Sequence, residues 1–126
     1  MQTRGGAGMN KIQIATNFQL REFQCKDGSY QVVLKRDLLE KLQQLRDLAG
    51  KPVIITSGYR NPAYNQKVGG SPTSRHLRGE AADIQIPGLS PQQVTDLAEK
   101  VGFNGIGVYE TFTHVDVREV ATRWRE

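Results

Sequence analysis

Apolar residues recur at three- and four-residue steps through Leu34, Leu38, Leu42, Leu45 and Leu48, which predicts an amphipathic helix. Gly50 ends that stripe and Pro52 prevents its continuation. The stripe reads as a core-facing surface rather than a partner site. Val53-Ile54-Ile55-Thr56 is a short β-branched run and predicts a buried strand. Ser90-Pro91-Gln92-Gln93 carries a capping-box pattern with proline at the first helical position, so a second helix runs through Val94, Leu97, Ala98 and Val101 to Gly102. Two later stretches alternate with period two. Asp83-Ile84-Gln85-Ile86 puts Asp83 and Gln85 on one face, and His114-Val115-Asp116-Val117 puts His114 and Asp116 on one face with two valines behind.

Around these elements, Phe18 to Phe23 mixes aromatic and polar residues, and Lys26-Asp27-Gly28-Ser29 marks a turn. Gly105 to Tyr109 and Thr113 to Val117 read as a hairpin joined by Glu110-Thr111-Phe112, and the tail from Arg118 to Glu126 reads as a short basic helix. Gly58 to Ser74 is a long connection with Asn61-Pro62, Gly69-Gly70 and Ser71-Pro72, broken by a helical turn over Pro62 to Lys67. Long connections inside a compact domain are often functional, and this one leads into His76. The pattern predicts an α+β fold, a small antiparallel sheet flanked by helices. Residues 10–126 form the single domain, and residues 1–9 form a flexible extension. Met9 is a candidate start, which would make the preceding residues an extension or cloning remnant.

Composition narrows the class. The chain has 126 residues, enough for one core, with 37% hydrophobic and 24% charged content, as soluble globular domains have. No apolar run approaches the roughly 20 residues of a membrane span. Met1 to Gly8 lacks an apolar stretch, so the expectation is production in the cytoplasm without a signal peptide. Cys25 is the only cysteine, which excludes an internal disulfide; it is expected to be a buried small hydrophobe rather than a reactive thiol. The net charge of +4 comes from dispersed basic residues, dense only at Arg75/Arg78 and Arg118/Arg123/Arg125. No helix-turn-helix, zinc-finger or aromatic RNA-binding motif accompanies it, and a polyanionic surface such as a cell wall suits the charge as well as nucleic acid does.

The candidate chemistry sits on the alternating stretches. The two histidines of the chain, His76 and His114, together with Asp83, are the donor set that a catalytic zinc site uses, with a fourth position left to water. Gly79 allows a sharp turn between His76 and Asp83, and Ala81 and Ala82 keep the approach uncrowded. Adjacent strands would bring Asp83, His114 and Asp116 to one cleft, with His76 arriving on a loop. Spacing alone is a weak signal and better suits a surface histidine and an aspartate that merely begins a strand. It also suits Arg60 as a loop salt-bridge partner and Ser74 as a turn cap or a substrate contact.

Ser74-x-His76-x-x-Gly79-x-Ala81-Ala82-Asp83, followed by His114-Val115-Asp116, resembles the zinc D-alanyl-D-alanine carboxypeptidase family of bacterial and phage cell-wall peptidases, whose fold is shared with the vancomycin-resistance dipeptidases and the hedgehog signalling domain. Asn17-Phe18-x-Leu20-x-Glu22-Phe23-x-Cys25, Ile55-Thr56-Ser57-Gly58-Tyr59-Arg60, Val68-Gly69-Gly70-Ser71 and Gly105-Ile106-Gly107-Val108-Tyr109 extend the resemblance over residues 17 to 118. It implies one Zn2+ per chain on the sheet face, held by His76, Asp83 and His114. It implies Arg60 at the substrate carbonyl or oxyanion, Ser74 as a substrate contact, and a monomer acting on peptidoglycan stem peptides. The expected lack of an export signal favours a phage-encoded or phage-derived wall enzyme. The alternative is a zinc-binding module of the same fold without catalysis. Several relatives carry a carboxylate three residues before the last ligand or a histidine two before it. Thr111 and Phe112 stand there, which leaves Asp116 as the expected base or ligand-orienting group, Glu110 as the second candidate base, and Glu80 as a solvated residue.

Overall fold

The computed structural model describes residues 8–126; residues 1–7, most of the expected extension, lie outside the described residues. Two short strands, β1 (Gln13–Ala15) and β2 (Phe18–Gln19), form a small antiparallel pair, and a 3-10 turn over Leu20–Phe23 follows. Helix α1 (Arg36–Ala49) buries Leu38, Leu42 and Leu45 and stops where Gly50 takes a left-handed conformation. Leu34 precedes the helix and Leu48 is exposed, so the predicted stripe holds at its centre only. The order continues through β3 (Ile54–Ser57), α2 (Pro62–Lys67), β4 (Ala81–Gln85), α3 (Pro91–Val101), β5 (Gly105–Val108), β6 (Thr113–Asp116) and β7 (Thr122–Arg125). Helix α3 starts at the predicted capping box, in which Ser90 and Gln93 bond each other's backbone.

The main sheet has the order β3-β4-β6-β5-β7. Its first four strands pair antiparallel, while β5 and β7 run parallel, so the sheet is mixed rather than wholly antiparallel. The cause is the tail. Residues 118–126 do not form the expected basic helix; Thr122 to Arg125 form β7. Their inward and outward positions alternate with period two, Thr122 and Trp124 half-buried and Arg123 and Arg125 exposed. The chain leaves β6 beside Gly105, at the start of β5. A strand added to the free edge of β5 from that end must run with it. The β3 run is likewise less buried than expected: Val53 and Ile55 face the core, but Ile54 is exposed on this edge strand.

One sheet face packs on α1 and α3 through Ile55, Ala82, Ile84, Ile106 and Val115, which meet Leu38, Leu42, Leu45, Val94 and Ala98. Cys25 is buried, as expected. The opposite face carries the polar alternates, Asp83, His114 and Asp116. The 3-10 turn Arg75–Arg78 that precedes β4 ends at Gly79, whose φ is +69°. A Cβ on Gly79 would collide with the backbone carbonyl of Val33, while the Gly79 carbonyl accepts a 2.9 Å hydrogen bond from the Lys35 amide. Gly79→Ala should therefore cost about 1–2 kcal/mol from the left-handed conformation alone and more from the collision. A fall in the urea midpoint at unchanged slope measures it.

Candidate active site

The sheet register builds the site. Ser57 pairs with Asp83, Asp83 with His114, His114 with Gly107, and Gly107 with Trp124, so these residues form one row across five strands. Directly paired residues point to the same face, which places Asp83, His114 and Trp124 side by side. His76 reaches the row from its 3-10 turn. Ser74 caps that turn, its hydroxyl accepting a 3.2 Å hydrogen bond from the His76 amide. The His76 carbonyl accepts from the Arg60 amide at 3.1 Å, and His76 Nδ1–H donates to the Gly58 carbonyl at 2.7 Å. The histidine loop is thus stitched to the end of β3.

His76 Nε2 and His114 Nδ1 both face one oxygen, Asp83 Oδ1, at 3.2 and 3.0 Å. The three residues are 2%, 7% and 6% exposed for His76, His114 and Asp83, and their donor atoms all lie within 4.8 Å of one another. Zinc bonds of roughly 2.0–2.1 Å to nitrogen and oxygen at tetrahedral angles put neighbouring donors about 3.3 Å apart, close to the two spacings seen. The outer nitrogen of each ring is occupied, by the Gly58 carbonyl on His76 and by Asp116 Oδ2 at 2.8 Å on His114. Such outer partners fix which nitrogen faces inward. The donor set therefore fits a zinc ion in type, burial and convergence.

Charge supports the same arrangement. Burial by itself would raise the Asp83 carboxyl, but hydrogen bonds from His114 and His76, together with their charge, hold it well below the usual carboxylate range. Asp116 follows the same balance: burial opposes ionisation, and hydrogen bonds from His114 and Arg118 outweigh it. Burial would lower His114, yet hydrogen bonding to Asp116 and Asp83 and their negative charge raise it. A cation at this point would displace that proton, so metal affinity falls as pH falls.

The other residues expected at the site are placed as follows. Arg60 Nη2 lies 3.2 Å from Asp83 Oδ2, its Nε donates to Ser57 Oγ at 3.2 Å, and its Nη1 donates to Asn65 Oδ1 at 3.3 Å. Asp116 is fully buried, bonded to His114 on one side and clamped by Arg118 on the other, with Arg118 Nη2 at 2.7 Å from Oδ2 and Nε at 2.9 Å from Oδ1. It shares the face of His114, as expected, but lies behind the ring and outside the cleft. Glu110 is exposed at the hairpin tip and does not line the cleft either. Glu80 is not solvated: it is half-buried and pairs with Arg75 at 3.4 Å, because the strand that begins at Ala81 draws it against the sheet.

The cleft over the row encloses about 560 Å³, with Arg60, Arg75, Arg78 and Arg118 on its walls and Asp83 as the only carboxylate lining it among the described residues. Sequence reasoning gives no site role to Tyr109 or Trp124, which also line it. The Trp124 ring stands 5.0 Å from that of His114 and 5.0 Å from the Arg118 guanidinium. Its place was readable only from the alternation in Thr122 to Arg125, which a basic tail obscures.

A buried His-Asp-His set on a sheet face, its outer nitrogens held and an arginine on its carboxylate, is a metal-peptidase type of site. The Peptidase M15 family profile matches residues 16–117, and the chain belongs to that family. Among similar proteins, peptidoglycan L,D-endopeptidase MepK of Escherichia coli (strain K12) is 32% identical over 88 residues, covering 63% of this chain and 48% of that protein. The zinc D-Ala-D-Ala carboxypeptidase of Streptomyces albus G is 44% identical over 67 residues, 52% of this chain and 26% of that protein. The probable L,D-endopeptidase MepK of Haemophilus influenzae is 33% identical over 85 residues, 62% of this chain and 45% of that protein. The chain thus spans about half the length, or less, of these relatives.

His76→Ala or His114→Ala should abolish stoichiometric zinc binding, read by metal analysis after dialysis, whereas Asp116→Asn should weaken it roughly 10- to 100-fold. Acid should act on the metal-free protein too. Asp83 and Asp116 have folded values below their ordinary 3.8, so the stability they contribute is present above that pH and lost as pH falls below it. Thermal melts of chelated protein from pH 6 downwards (roughly the window set by that value) should show the midpoint dropping most steeply below about 4.

Proposed function

We propose that the chain is a zinc-dependent peptidase that hydrolyses peptide bonds in peptidoglycan stem peptides, of the D-alanyl-D-alanine carboxypeptidase or endopeptidase type. The observation that carries the proposal is the convergence of His76 Nε2, Asp83 Oδ1 and His114 Nδ1 at the floor of an arginine-lined cleft. Family membership supports the hedgehog/D,D-peptidase fold for it, and the names of the relatives supply the substrate class. Zinc held by these residues supplies Lewis-acid polarisation of a carbonyl and a nucleophilic water at neutral pH.

The chain's own groups do the rest. Arg60 is anchored by Ser57, Asn65 and Asp83, so its guanidinium is set beside the donor set, where a fixed charge can meet negative charge developing on a substrate oxygen. Asp116 acts through His114: enclosed and bonded to Arg118, it holds the ring with Nδ1 inward and is a positioning residue rather than a base. Ser74 shapes the turn that delivers His76 and stands on the cleft wall within reach of a substrate. Stem peptides carry free carboxylates, which suits a cleft with four arginines facing one carboxylate.

One observation favours a non-catalytic zinc module instead: among the described residues, no carboxylate other than Asp83 lines the cleft to serve as base. Mass analysis of muropeptides incubated with the protein, with and without chelator, separates the two readings. Loss of a terminal residue marks a carboxypeptidase, splitting of cross-linked species marks an endopeptidase, and unchanged products mark the module. Arg60→Ala should keep its zinc and lower turnover on the order of 100- to 1000-fold; an unchanged rate rules out the role given to Arg60.

A further inference from the structure

The wall of the cleft beside His114 holds a hydroxyl with a free proton. The indole N–H of Trp124 is a donor only, so in its 3.0 Å hydrogen bond with Tyr109 the phenol oxygen accepts. The O–H proton of Tyr109 is left over, and among the described residues no acceptor is bonded to it. Tyr109 lines the cleft. Its ring is stacked on Phe112 at 4.4 Å between centroids and 10° between planes. The indole that orients it is itself fixed, lying over Gly107, where a Cβ would collide with it, and beneath the Arg118 guanidinium. The phenol is therefore a rigid donor rather than a loose surface side chain.

Its position follows from the register. Arg60 bonds Asp83 and Ser57, toward the β3 edge of the row, while Trp124 and Tyr109 belong to its β5 and β7 end. The His-Asp-His set lies between them. Building on the peptidase reading above, we propose that Tyr109 is a catalytic residue whose hydroxyl donates a hydrogen bond to the scissile carbonyl oxygen as negative charge develops there, with Trp124 as the residue that positions it. A hydrogen bond received by the phenol oxygen polarises its O–H and strengthens it as a donor. The phenol keeps its proton throughout. Donors aimed at developing charge from a fixed place are the largest single contribution in many hydrolases.

The test uses the zinc-loaded full chain, in which Trp124 is the only tryptophan, so one indole 1H–15N resonance reports on the contact. Tyr109→Phe should shift that resonance, leave zinc content unchanged, and lower kcat on muropeptides about 100-fold with KM within about twofold. Trp124→Phe keeps a ring against His114 without the N–H and should lower kcat in the same direction with zinc retained. A Tyr109→Phe enzyme with wild-type kcat, or an unmoved indole resonance, overturns the role of Tyr109 alone. If that variant does not fold, wild-type kcat in Trp124→Phe overturns it. A zinc-loaded wild-type protein that leaves every muropeptide intact overturns the peptidase reading itself, and this inference with it.

Discussion

Asp83 is the group on which the rest of the site leans. One of its oxygens receives both inner histidine nitrogens, the other receives Arg60, and all of this happens at a nearly buried position. An ionised carboxylate taken out of water is costly unless it is paired and hydrogen-bonded, and here every partner is supplied by a different element. The 3-10 turn brings His76, β6 brings His114, and the loop after β3 brings Arg60. The carboxylate is thus the common point of three segments, two of which, the histidine turn and the end of β3, are also joined by backbone hydrogen bonds.

The opposite face of the sheet makes this affordable in structural terms. Ala82 and Ile84 flank Asp83 in sequence and are sealed against α1 and α3, so the strand cannot slip by one residue without turning Asp83 into the core and an isoleucine into the cleft. The same holds for His114 between Thr113 and Val115. Position in the site is therefore enforced by packing on the side that does no chemistry.

This is also why the placement of the candidate site on one sheet face was legible in the sequence. Period two in Asp83-Ile84-Gln85-Ile86 and in His114-Val115-Asp116-Val117 put the right residues on one face, and the capping box and the Gly50 stop located the helices that cover the other. What was hidden depends on contacts that the alternation of apolar and polar positions does not record. The tail has the composition of a solvated helix, and only the free edge of β5 makes it a strand. Asp116 looks like a cleft carboxylate until Arg118 is seen to close over it. Glu80 looks solvated until Arg75 turns back to meet it. Of these, the tail alone leaves a periodic trace, in the alternation of Thr122 to Arg125; the two ion pairs follow from where the fold turns their side chains.

The row that holds Ser57, Asp83, His114, Gly107 and Trp124 has a kinetic consequence. Its members come from five strands spread between residues 57 and 124, and every pairing along it except the short β5–β6 hairpin closes a long stretch of chain. Loop-closure entropy must be met before such contacts return anything. The helices α1 and α3 draw on local contacts and can gain structure without the row. The cleft over the row is therefore complete only when the sheet has closed, whereas the helices that cover its other face can form before it.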